Sequence, residues 1–177
     1  CLAVSLGTWT YMVAGLWLCV RLMQTWFPPA VALVAVLGMY LASPQLCYGF
    51  HSGSFSHGIS FFLMTVFFYL WIRKRRNSEI RDAALLGSVL GLACLVRPQN
   101  ALWLAIPVLD GVLRNGISQD WKRKVPHLFA FGVFLVLAFL PQLVLWEVER
   151  GGIFSFPQGS KFVDPERWGQ LRVLFDP

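Results

Sequence analysis

Arg97 is the residue whose type and place most invite chemistry. It is the one charge in the apolar stretch from Ala83 to Leu109, and Pro98, Gln99 and Asn100 follow it directly. A guanidinium stays charged at any physiological pH, and its planar fork matches the oxygens of a phosphate. A helix opening at Pro98 would add unpaired N–H groups to the pull on an anion. The competing reading is an arginine at a membrane boundary, with its stem along apolar surface and its charge among headgroups. His51 and His57 offer imidazoles that exchange protons near neutral pH, as a general base or as a donor to phosphate. They stand six apart across Ser52-Gly53-Ser54-Phe55-Ser56, which is not a metal-ligand spacing, and no third ligand is placed to match. In the plainer reading His57 opens a helix and His51 is solvated. Tyr48 on the same link, Gln99 beside Arg97 and Lys161 near the C-terminus complete the candidate substrate-binding set. Glu147 and Glu149 could assist proton transfer, but Arg150 beside them points to a solvated helix end.

The elements that must position these groups follow from composition. Of the 177 residues 56% are hydrophobic and 14% charged, against about a quarter charged in a soluble domain. No Asp, Glu, Lys or Arg occurs in residues 2–20, 22–72 or 127–146. A helix needs about 20 apolar residues to cross the hydrocarbon core of a bilayer, so the chain reads as an all-α polytopic membrane protein. A soluble enzyme, a secreted disulfide scaffold and a disordered chain are excluded. Cys1, Cys19, Cys47 and Cys94 share no metal-like spacing and read as bland thiols. No paired carboxylates, nucleophile elbow or glycine-rich phosphate loop is present, so no cofactor is evident, and the question of a divalent metal stays open. The chain starts at Cys1 against an apolar run and ends at Pro177, so it reads as an internal fragment of a larger protein.

About six transmembrane or re-entrant segments can be drawn, at residues 2–20, 28–42, 57–72, 80–96, 98–113 and 127–146. Together they make a helical bundle over residues 1–146, and residues 147–177 form an extracytoplasmic loop. Pro28-Pro29 suits a first helical turn, Ser43-Pro44 ends the second segment, and Ser56 is a candidate N-cap for the third. Orientation follows from Lys and Arg, which short cytoplasmic loops collect. Residues 73–81 hold five of them and residues 114–124 four. With both clusters inside, residues 83–109 form an out-and-back hairpin with its tip at Arg97-Pro98. Arg21 then falls inside, while residues 45–56 and the stretch from Glu147 onward fall outside. Trp26, Trp71 and Trp121 mark the inner boundary, with Tyr48 and Trp146 at the outer one. Polar groups therefore gather at the outer face. Basic residues at helix ends read as orientation signals, so nucleic acid is not an expected partner.

Several phrases carry a family resemblance. They are SHGISFFLMTVFFYLWIRKRRN from Ser56, ALLGSVLGLACLVRPQNALWLAIPVL from Ala84, FLPQLVLW from Phe139 and LRVLF from Leu171. From about residue 30 onward the chain resembles the middle of bacterial GT-C glycosyltransferases, the group containing protein O-mannosyltransferases and the aminoarabinose transferases of lipid A. The Ser-His helix start and the Gly-Leu-Ala-x-x-x-Arg-Pro phrase carry most of the likeness. The resemblance implies a multi-pass enzyme of the bacterial inner membrane, part of a larger GT-C-type bundle with its site at the outer face. Such an enzyme moves a sugar from a polyprenyl-phosphate carrier to a lipid, glycan or protein acceptor, with inversion at the anomeric carbon. It places His57 and Arg97 near the donor phosphate. The family's catalytic acid lies in an outer loop between the first two helices, outside this fragment, so the catalytic residue is unassigned and the fragment alone should be inactive. Two other classes stay open: a transporter or flippase of lipid-linked sugars, which would hold polar groups near the bilayer midplane, and a non-catalytic membrane subunit.

Overall fold

The computed structural model describes residues 2–43, 56–74, 79–115 and 121–150. Every regular element among these residues is helical: α1 (Leu2–Met23), α2 (Pro29–Ala42), α3 (His57–Lys74), α4 (Ile80–Val96), a 3₁₀ segment (Pro98–Leu104), α5 (Ala105–Asn115) and α6 (Trp121–Arg150). The expected segments are there, with three differences. α1 and α3 each run two or three residues further, so Arg21 and Arg73-Lys74 lie within their last turns. The fifth segment opens as a 3₁₀ helix instead of an α-helix. α6 begins at Trp121 rather than near His127. Pro126 therefore sits inside the helix, in its second turn, where a missing N–H costs one backbone bond and does not end the element.

Among the described residues two helical stretches, Ser5–Met23 within α1 and Val125–Glu149 within α6, are long and apolar enough to cross a membrane. The chain forms two compact units, Cys1–Phe139 and Leu140–Pro177, and the packing below belongs to the first. There Thr8 meets Gly58, and the Tyr11 and Phe62 rings lie tilted with centroids 5.6 Å apart. Contact positions ascend together, so α1 and α3 run parallel. The Oη of Tyr40 lies 3.7 Å from Sδ of Met12, while residues 24–28 make the turn between their helices. That pairing runs α2 back along α1. Lys74 reaches Asp82 at 3.0 Å, and Arg97 reaches Ser56 and His57 at the far ends of the same two helices, so α3 and α4 are antiparallel.

The interior of this unit is built from small and polar side chains together with a compact apolar cluster. Phe67, Leu86, Val89, Leu90 and Cys94 are buried, with Phe131, Leu135 and Phe139 of α6 packed against them. Backbones approach closely at glycine. A Cβ on Gly91 would stand 2.5 Å from the Leu135 carbonyl oxygen and 2.7 Å from Cβ of Ala138, and one on Gly87 would strike the Phe131 carbonyl. Gly87 and Gly91 are four apart and share one face of α4, the spacing that lets two helices in an apolar medium close on each other. Their contacts with α6 ascend in the same order, so α4 and this part of α6 run parallel.

Two hydroxyls are satisfied on their own helices: buried Thr65 Oγ1 donates to the Phe61 carbonyl at 2.8 Å and half-buried Ser88 Oγ to the Ala84 carbonyl at 3.0 Å, each one turn back. Meanwhile large apolar side chains lie outside, among them Leu102 at 78% and Val34 at 70% exposure. The second unit, Leu140–Pro177, is described only at the end of α6, where Trp146 is buried, Gln142 is half-buried, and Glu147 and Glu149 are exposed.

Candidate functional site

Arg97 owes its position to the residue after it. A proline disfavours α geometry in the residue before it, and Arg97 leaves α4 in an extended conformation, φ −150° and ψ 110°. Its N–H still donates to the Ala93 carbonyl at 2.9 Å, closing the helix. Pro98 then opens the 3₁₀ segment, and the N–H of Asn100 returns to the Arg97 carbonyl at 3.0 Å. This turn replaces the α-helical start expected there. The Asn100 N–H is spent on the Arg97 carbonyl and is not left for an anion.

The guanidinium points across to the start of α3. Nε donates to Ser56 Oγ at 3.3 Å, and Nη2 lies 2.7 Å from Nε2 of His57, forty residues away in the chain. A guanidinium has only donors, so Nε2 must accept, which makes the ring neutral at that nitrogen and puts its proton on Nδ1. No carboxylate among the described residues pairs with Arg97. Two of its five N–H donors are used by these contacts, and the residue is half-buried.

Beneath this pair lies a second cross-link. Asn100 is 6% exposed and its Nδ2 donates to Ser60 Oγ at 2.9 Å and to the Ala93 carbonyl at 2.8 Å. Ser56, just before α3, and Ser60, one turn on, share a face with His57 between them in the chain, while Arg97 and Asn100 are three apart on the facing turn. The two layers act together: the amide ties the 3₁₀ segment to both helices, and the arginine rests on the platform so fixed. Trp103 closes the turn from the other side, edge-on to Phe68 at 5.5 Å between ring centroids.

Of the residues singled out in the sequence, the structure brings Arg97 and His57 into contact. Gln99 stands beside them in the chain, exposed. Tyr48, His51 and Lys161 lie outside the described residues. Gln142, Glu147 and Glu149 belong to the second unit. Ser56 takes the guanidinium's Nε–H on its hydroxyl, a role its reading as a helix cap did not include. Ser60 was missed altogether, although its place one turn after Ser56 was a usable signal. Among the described residues no three His, Cys, Asp or Glu side chains come together as a metal would need. No protein-family model, curated protein or solved structure matches the chain.

Proposed function

We propose that the chain is part of a multi-pass membrane glycosyltransferase of GT-C type, in which Arg97 binds the phosphate of a polyprenyl-phosphate-linked sugar at the outer face. The observation that carries this reading is the Arg97–His57–Ser56 contact. It joins an uncompensated guanidinium to two neutral polar side chains where α4 ends and α3 begins. The distribution of side chains supports a bilayer setting. Val34, Leu102 and Phe129 are 70–78% exposed while Thr8, Ser60, Thr65 and Asn100 are buried, the reverse of a water-soluble surface. Length supports it too. Seven 3₁₀ residues followed by the eleven of α5 make about 30 Å end to end, at roughly 2.0 and 1.5 Å per residue, enough for the hydrocarbon core.

In the proposed reaction an acceptor hydroxyl attacks the anomeric carbon as the bond from that carbon to the phosphate oxygen breaks. The acceptor's proton passes to a carboxylate that this chain does not identify, and the polyprenyl phosphate leaves with its added negative charge facing Arg97. Fixed positive charge aimed where negative charge develops is an effective way to lower such a barrier. Ser56 and His57 hold the guanidinium's orientation while its remaining N–H donors meet the phosphate. The cluster's place at helix ends, rather than halfway along them, favours a transferase over a carrier of lipid-linked sugars.

The test is transfer of a radiolabelled sugar from its polyprenyl carrier by the full-length protein in membranes. Arg97→Ala is expected to abolish transfer without loss of membrane insertion, and Arg97→Lys, which keeps charge but not the fork, to recover little of it. Normal transfer by Arg97→Ala would remove this residue from the mechanism.

A further inference from the structure

At the opposite end of α3 from Arg97, α1 and α3 finish side by side and leave an open cleft of about 470 Å³. Trp17, Arg21, Gln24 and Thr25 line it from one side, and Tyr69 and Arg73 from the other. Each arginine is parked over an aromatic ring. Arg21 Cζ lies 5.3 Å from the Trp17 ring centre and Arg73 Cζ 4.8 Å from that of Tyr69. A ring under the guanidinium face fixes its plane and leaves its N–H edge free to donate. Neither arginine is ion-paired among the described residues, and no acidic side chain lines the cleft. The nearby carboxylate of Asp82 is already occupied by Lys74 at 3.0 Å and by the Glu79 N–H at 3.1 Å. The side chains of Gln24 and Thr25 add further donors and make no protein hydrogen bond among the described residues.

We propose that this cleft binds a phosphate group between the forks of Arg21 and Arg73. Two pre-oriented guanidiniums facing one space repel each other until an anion stands between them, and a phosphate offers each fork two oxygens. The phosphate belongs to an anionic phospholipid headgroup or to a soluble phosphorylated molecule, and both present the same oxygens. The site is separate from the Arg97 cluster and does not depend on the transferase reading.

The experiment uses the purified full-length protein in detergent, with binding of phosphatidylglycerol read by native mass spectrometry and binding of inorganic phosphate read by thermal shift. Phosphatidylglycerol is expected to be retained, with affinity falling about tenfold for each of Arg21→Gln and Arg73→Gln. Arg81→Gln, which removes an exposed cation outside the cleft, is expected to change nothing. Binding of inorganic phosphate with the same dependence on both arginines would assign the soluble source and uphold the site. Equal losses in all three variants would mean a diffuse charge effect, and undiminished binding of both probes by the Arg21→Gln, Arg73→Gln double variant would mean no site. Either of these overturns the proposal. Both side chains are exposed, so the variants are expected to fold, which the unchanged thermal midpoint of the lipid-free protein checks.

Discussion

The Asn100 cross-link allows a quantitative test, because its geometry prescribes both a size and a coupling. Removing the amide in Asn100→Ala deletes two buried donations, at 2.9 Å to Ser60 and 2.8 Å to the Ala93 carbonyl. Side-chain bonds in a membrane interior average about 0.6 kcal/mol and reach about 1.7, and buried bonds in general contribute about 1. Two bonds therefore give about 2 kcal/mol, with little to add for the small cavity. Ser60→Ala removes one acceptor and leaves one amide N–H unsatisfied, at about 1 kcal/mol. The double variant loses the Ser60 bond only once, so its cost should fall short of the sum by about 1 kcal/mol. Asn100→Asp puts an oxygen against the Ala93 carbonyl, which can only accept, and buries a carboxylate there, so it is expected to cost at least as much as Asn100→Ala. The assay is unfolding in mixed micelles followed by circular dichroism, with all variants at one detergent concentration. Single-variant costs that add to within about 0.3 kcal/mol would show that the two side chains do not communicate. The account of how the turn is held would then be wrong, and with it the reason Arg97 stands where it does.

Further outcomes follow from the rest of the structure. Gly91→Leu should force α4 away from α6, since even a Cβ there would meet the Leu135 carbonyl oxygen at 2.5 Å; a loss of about 1–3 kcal/mol is expected, and an unchanged unfolding midpoint would contradict the close approach. Asp82 receives the Glu79 N–H and Lys74 at the start of α4, so Asp82→Ala should loosen that turn by about 1 kcal/mol, read as roughly fivefold faster amide exchange over its first residues and no change at its far end. In a background without the native cysteines, a cysteine at Ser52 should react with an impermeant reagent added from outside and one at Ser118 should not; labelling of both from one side would reverse the orientation.

Much of the helical layout was legible because apolar runs and charged breaks are local in sequence. α4 was expected at residues 80–96 and runs over Ile80–Val96, since the proline at 98 disfavours α geometry in Arg97. The 3₁₀ segment was not legible. Residues 98–113 carry an apolar pattern that suits an α-helix as well. The tighter turn goes with the Asn100 amide, which reaches back to Ala93 and across to Ser60, forty positions earlier. The start of α6 was misplaced because a proline reads as a boundary, although within the second turn of a helix it removes a single bond. Of the candidate site, the sequence singled out Arg97 and His57 one at a time, as a charge in an apolar stretch and an imidazole at a helix start. Their contact at 2.7 Å depends on α3 and α4 packing antiparallel in one register.

What the sequence determined by itself is therefore the sum of local effects: helical elements between charged ends, and a break at Arg97. What only the tertiary structure decided is which ends meet. Pairing across forty residues depends on side-chain shape at the helix crossings, where Gly58 admits Thr8 and Gly87 and Gly91 admit the carbonyls of α6. Hydropathy carries no information about that fit.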